Sequence, residues 1–350
     1  MIRYLQDLVN RAIGKAGSGC AALPRGDTIL KEPLELSGLR GFSIEGVTIH
    51  DSCIVADFES YEGNDPVPVI GLLNCQDTGI SNLKMILTSN QYAVFGHWSK
   101  DPSLGTPTNN HYRNIVVIGK GEGFGGEANY GIVFHAKNKD DPNNEAGFFF
   151  NVHLNNCFIG WRIEGTQSKE HVIEHCRQQG GMHAVDSTGS FWWKGGGGSG
   201  LSDAAFRLRE PVDTIRIDYP AFEATKRLLH ASGPNGFSDD SQPIRISGGR
   251  FMCDQLHNDG AAVILEHQGP LTIDSFVFGS GQQPIPHIRA NDPAQVALQA
   301  VNFESIGSFE TLAAHPVRKM DGSVPTTLDN SPRLGDVGGR DWAGIRRRIR

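Results

Sequence analysis

The sequence predicts a β-solenoid of the parallel β-helix type, and three observations predict it. A strand phrase of alternating apolar and polar residues, broken by a Gly, Asn or other small residue, occurs nine times along the chain. The copies lie about 32 residues apart on average, inside the roughly 20–45-residue range of repeat architectures. Turn-like rather than helical stretches separate them, and 43 of the 350 residues are Gly, nearly double the usual share.

The elements follow in order. Residues 2–16 place Leu5, Leu8, Val9, Ala12 and Ile13 on one helical face, and Gly14 with the 17–19 cluster ends the helix. The strand phrase is clearest at 42–49. It returns at 80–85, 112–117, 152–159, 171–176, 215–219, 244–251, 271–278 and 296–303. Taking the equivalent of Ile44 in each copy gives Ile80, Tyr112, Leu154, Ile173, Ile217, Ile246, Ile273 and Leu298. Second strands of the same coils are expected at 67–73, 130–134, 160–163 and 261–265. Nine coils stacked about 4.8 Å apart make a rod roughly 40–45 Å long. A sandwich or propeller fits less well, because hairpin dipeptides are nearly absent; Asp259-Gly260 is the exception.

Composition narrows the function. Hydrophobic residues at 38% are too many for a disordered chain, and no apolar run is long enough to span a membrane. A net charge of -7 argues against wholesale nucleic-acid binding. The last eleven residues are a local exception, with five Arg against one Asp, and this end is expected to dock on a protein surface. The N-terminal segment lacks the pattern of a secretory signal. Six Cys at 20, 53, 75, 157, 176 and 253 form no C-x-x-C and read as free thiols.

The opening helix, its Gly-Ser-Gly stop, the run Ala22-Leu23-Pro24-Arg25-Gly26-Asp27 and the strand at 29–36 carry a family resemblance. Together with the corners Asn155-Asn156-Cys157 and Glu174-His175-Cys176, they resemble the pectin-lyase-like right-handed parallel β-helix superfamily over about 2–305. Phage tailspike and virion β-helix proteins are the most similar branch. The resemblance implies an all-β, right-handed, single-stranded parallel β-helix at 21–305, a capping helix within 1–20 and an irregular tail at 306–350. It leaves the activity open, because the superfamily holds lyases, hydrolases, epimerases, tailspikes and non-catalytic virion proteins.

Candidate chemistry is sparse. Asp239 and Asp240 form an adjacent pair like that of the polygalacturonase branch, without the further Asp, Gly-His-Gly and Arg-Ile-Lys that accompany it there; a solvated turn is the competing reading. Arg209-Glu210-Pro211 begins like the superfamily's lyase motif, but Thr214 replaces its second Arg and Arg216 comes two residues late. Elimination there would use an Arg base and Ca²⁺, with Asp213 and Asp218 as ligands. His171 and His175, four apart in a strand, should face one way, opposite Glu174 and Cys176, with Cys176 over Cys157; the helix that a zinc motif requires is missing. Phe191, Trp192 and Trp193 cannot all face one core. Trp192 and Trp193 beside the glycine-rich loop 195–200 are candidates for a sugar face, a subunit contact or loop packing.

These readings favour a virion-associated β-helix protein of bacteriophage spike or decoration type, structural in role and adhesive to cell-surface glycan. It is expected to be a homotrimer without cofactor or metal, joined to capsid or tail proteins through 306–350, and to contact neither membrane nor nucleic acid. The alternative is a secreted polysaccharide lyase or glycoside hydrolase acting on an acidic or capsular polysaccharide, with Ca²⁺ if it is a lyase.

Overall fold

A computed structural model of the chain describes residues 4–13, 18–58, 67–88, 92–98, 108–120, 129–134, 144–165, 168–209, 214–232, 243–253, 260–266, 270–280, 286–305 and 316–324. Every strand pairing among them is parallel, and the strands form two sheets that climb the chain together. This is the parallel β-helix expected from the repeat, the fold that the family resemblance implies in its right-handed form.

The first sheet is read most simply through one inward-facing residue per coil. Ala21, Ile44, Ile80, Tyr112, Phe149, Ile173, Trp193, Ile217, Ile246, Ile273 and Leu298 are consecutive partners, and we number their coils as rungs 1 to 11. At the usual strand spacing the rungs span about 48 Å. Two corrections to the sequence reading follow. The partner of Tyr112 is Phe149, not Leu154, which faces inward further along the same strand. Rungs 1 and 7 had no matching phrase, because Ala21 sits among small residues and four glycines, 195–198, follow Trp193 and Lys194.

A bend divides each coil's stretch of the first sheet into a leading and a trailing limb. The bending residues occupy one register column, and nearly all have positive φ: Asn82, Asn114, Asn151, His175, Gly195, Tyr219, Gly248, Ser275 and Ala300. Asn tolerates this left-handed region better than most side chains. Three stacked amides also bond to one another, with Asn114 Nδ2 donating to Asn82 Oδ1 and Asn151 Nδ2 to Asn114 Oδ1, both at 3.0 Å.

The second sheet holds eleven strands and closes the coil. It contains the expected Val67–Leu73, Tyr130–Phe134, Ile159–Ile163 and Ala261–Leu265. Parallel pairing begins at Gly19–Ala22 and reaches Val317–Lys319, which pairs with His287–Ala290. Inward residues of both sheets meet in a core rich in rings. Tyr112 stacks on Phe149 at 4.9 Å, Trp161 meets Trp193 edge-on at 5.7 Å, and Trp193 meets Phe206 at 5.4 Å. Each fully buried ring of this kind contributes about 1.5–3 kcal/mol by removal from water. The helix Tyr4–Ala12 buries Leu5 and Val9 against the first coil, so the N-terminal sheet edge is covered. The arginine-rich 340–350 segment lies outside the described residues.

Candidate functional site

The outward residues of the leading limb follow directly from the register. They are His111 and Arg113 on rung 4, Phe148 and Phe150 on rung 5, and Val172 and Glu174 on rung 6. Trp192 and Lys194 follow on rung 7, Arg216 and Asp218 on rung 8, and Arg245 and Ser247 on rung 9. Six rungs make a face about 24 Å long, parallel to the rod.

Aromatic rings stand out on this face where polar side chains would be normal. Phe148 is 38% exposed and Phe150 42%. Phe148 stacks on His111 with centroids 5.1 Å apart, and Phe150 meets His175 edge-on at 5.8 Å. At the bend of rung 8, Tyr219 is 69% exposed with φ of 53°. A bulky side chain in the left-handed region is strained, and such strain collects at functional positions. An ideal Cβ on Gly248 would fall 2.5 Å from the Tyr219 ring, so the glycine at the next bend is what lets the ring lie flat against the rod.

Trp192 is the pivot of the charged part. Its Nε1 donates to Asp218 Oδ2 at 2.6 Å, while Lys194 Nζ and the Arg216 guanidinium lie 4.7 and 4.3 Å from its ring centre. Asp218 also accepts from Ser247 Oγ at 2.5 Å, and Arg216 approaches it to 3.8 Å. Lys194 Nζ bonds Glu174 Oε2 at 3.0 Å. Arg113 and Arg245 have no ion-pair partner among the described residues. The face therefore carries four cations against two carboxylates on a chain whose net charge is -7. A local reversal of sign of this kind concentrates anionic ligands.

The structure sorts the residues singled out from sequence. Trp192 faces outward, whereas Trp193 is fully buried and offers no surface. The 195–200 segment is largely strand rather than loop: Phe191–Ser199 is continuous, and a Cβ on Gly197 or Gly198 would fall within 2 Å of a neighbouring carbonyl oxygen. Arg209 and Arg216 lie on different sheets. Arg209 lies on the second sheet, where its Nε bonds Asp186 Oδ1 at 2.6 Å, and Arg216 lies on the first. Asp213, Asp239 and Asp240 lie outside the described residues.

His171 and His175 do not share a face, because the left-handed bend at His175 interrupts the alternation. His175 is exposed. His171 is in the core, where Gly147 N–H donates to Nδ1 at 3.2 Å and leaves the proton on Nε2, facing Ser168 Oγ at 3.2 Å. Burial pushes His171 down to about 3. Cys176 stacks over Val152, whose N–H reaches its sulfur at 3.5 Å, instead of over Cys157. Burial raises both thiols to about 12. Among the described residues no three His, Cys, Asp or Glu side chains gather as a metal site, and no helix is long and apolar enough to cross a membrane.

Tyr219, Phe148, Phe150, Arg113 and Arg245 escaped the sequence reading. One signal was available: the rule that consecutive aromatics must split between core and surface applies to 148–150 as it does to 191–193. Tyr219 carried no such signal, because its bend column is visible only once the coils are in register.

Fold and face together define a right-handed parallel β-helix protein with a lateral aromatic and basic stripe. No family model matches the chain, and no curated protein matches it in sequence. Solved structures with similar folds include PfbA, a surface adhesin of Streptococcus pneumoniae, at 9% identity and a TM-score of 0.46, covering 91% of this chain and 85% of that one. The A-module of the mannuronan C-5 epimerase AlgE6 of Azotobacter vinelandii is similar at 10% identity and a TM-score of 0.47, covering 93% and 94%. An endo-xylogalacturonan hydrolase of Aspergillus tubingensis is similar at 12% identity and a TM-score of 0.38, covering 93% and 92%.

Proposed function

We propose that this chain is a carbohydrate-binding β-helix that holds an anionic polysaccharide along the leading limb of rungs 4 to 9. The observation that carries the reading is the coincidence of exposed rings (Phe148, Phe150, Tyr219) with arginines that have no ion-pair partner among the described residues (Arg113, Arg245) on one face of an acidic chain. Ring faces stack on the apolar faces of sugars, and guanidinium groups pair with carboxylate or sulfate. One pyranose unit is about as long as a rung is high, so an extended chain can present a sugar to each successive coil.

Adhesion fits better than turnover. Both carboxylates on the face are already engaged, Asp218 by Trp192 and Ser247 and Glu174 by Lys194. One observation favours hydrolysis as the second reading: Glu174 and Asp218 share a column two rungs apart, about 10 Å by strand spacing, near the separation used by inverting glycosidases.

A polysaccharide array tests the proposal. Binding to uronate-rich or sulfated chains, weakened by salt and absent for neutral chains, is the expected result; no binding to any anionic chain overturns it. Release of new reducing ends from a bound polysaccharide, lost in Glu174→Gln, would instead establish the hydrolytic reading. A rod of this kind works when presented outward, on a virion or a cell envelope. Carriage on a phage particle predicts that removing residues 325–350 abolishes incorporation, and unchanged incorporation contradicts that placement.

A further inference from the structure

A second outward patch lies on the trailing limb of rungs 1 to 4, carried by Gly26–Leu30, Ser52–Ala56, Gly79–Leu87 and His111–Ile118. Its outer column is Ile29, Val55, Ile86 and Ile118, four aliphatic side chains on consecutive rungs. Ile29 is 46% exposed. The neighbouring column is Asp27, Cys53, Lys84 and Val116. Among the described residues neither Asp27 nor Lys84 has an ion-pair partner. A row of β-branched residues on an outward sheet face is a surface that packing would stabilise.

The order of charges says what packs there. Asp27 and Lys84 stand one rung below and one rung above Cys53, in the same column. A twofold axis lying in the plane of contact along the Ser52–Ala56 strand turns the rod end for end and exchanges rungs 1 and 3. Asp27 of each copy then meets Lys84 of the other, Ile29 meets Ile86, and Cys53 and Val55 sit on the axis. We propose that this patch is an isologous interface at which a second copy of the chain docks antiparallel. Twofold contacts require a self-complementary patch, and this one is complementary in both charge and apolar content. A threefold assembly would need two different faces to match instead.

Three measurements test it. Light scattering on the full chain is expected to give a dimer that dissociates on dilution. Asp27→Lys or Lys84→Asp alone turns both cross-pairs into like charges and should weaken the dimer at least about tenfold. Asp27→Lys with Lys84→Asp restores the pairs in swapped form and should restore the dimer. In a Cys20→Ser background, a short bis-maleimide should link two chains through Cys53 and fail in Cys53→Ser. Burial and Asp27 raise the Cys53 thiol, so the labelling is run above neutral pH. Monomer at every concentration, a trimer mass, single reversals without effect, or a double reversal that does not restore the dimer would each overturn the proposal. Circular dichroism matching the parent shows that the variants are folded.

Discussion

Trp192 and Trp193 are adjacent in sequence and opposite in consequence. Trp193 is fully buried among Trp161, Phe206 and Phe222, and its indole N–H has no hydrogen-bond partner among the described residues. Trp193→Ala should cost about 4 kcal/mol of stability, as large-to-small changes in a packed core do. Trp192→Ala should stay within about 1 kcal/mol of the parent, because the ring is half-buried and Asp218 keeps Ser247 as a partner. Equal losses in urea melts of the two variants would contradict their placement. Tyr219 poses the reverse case, since its ring is exposed at the expense of a strained backbone. Tyr219→Asn should raise stability by about 1 kcal/mol, the order of the left-handed penalty for an ordinary side chain, while weakening polysaccharide binding. A variant that is no more stable than the parent would show that the strain is absent.

At the scale of the element, the bend governs what each coil can present. Because it breaks alternation, it sends His171 inward and His175 outward, where an unbroken strand would have aligned them. This is also why the inward residues of the fold were legible in the sequence and the site was not. Ile44, Ile80, Ile217, Ile246 and Ile273 repeat one chemical choice per coil, and the pattern announces itself. The outward residues of rungs 4 to 9 repeat no single residue type from coil to coil, and their adjacency depends on coil lengths that vary with each turn. The buried histidine has a measurable consequence. Burial lowers His171 to about 3, and also depresses His183 and His230, the last to about 4. Between an ordinary histidine value near 6.5 and these lower values, the unfolded chain binds protons that the folded chain refuses. Stability is therefore full above about pH 6.5 and should fall by a few kcal/mol as the pH drops towards 4. His171→Gln, compared by urea melts across that range, should show a shallower slope; a slope equal to the parent's would remove His171 as the main cause.

At the scale of the whole molecule, a rod stabilised by contacts between neighbouring coils has long, regular sides, and the two sides described above differ in kind. The leading limb of rungs 4 to 9 is aromatic and cationic, and the trailing limb of rungs 1 to 4 is aliphatic with one charge of each sign. Composition alone, acidic and glycine-rich, indicated neither; what the glycines reveal is the tightness of the stack, as Gly196, Gly197 and Gly198 leave no room for a Cβ. The central claim is that the leading limb holds a polysaccharide through its exposed rings. It is tested most directly by titrating an array-selected anionic polysaccharide into the parent and into Phe150→Ala with Tyr219→Ala, using Val324→Ala, an exposed position outside both faces, as a control. The double variant should lose about thirtyfold or more in affinity, as two stacking contacts of about 1 kcal/mol or more each require, and the control should be unchanged. Equal affinity for parent and double variant would contradict the claim.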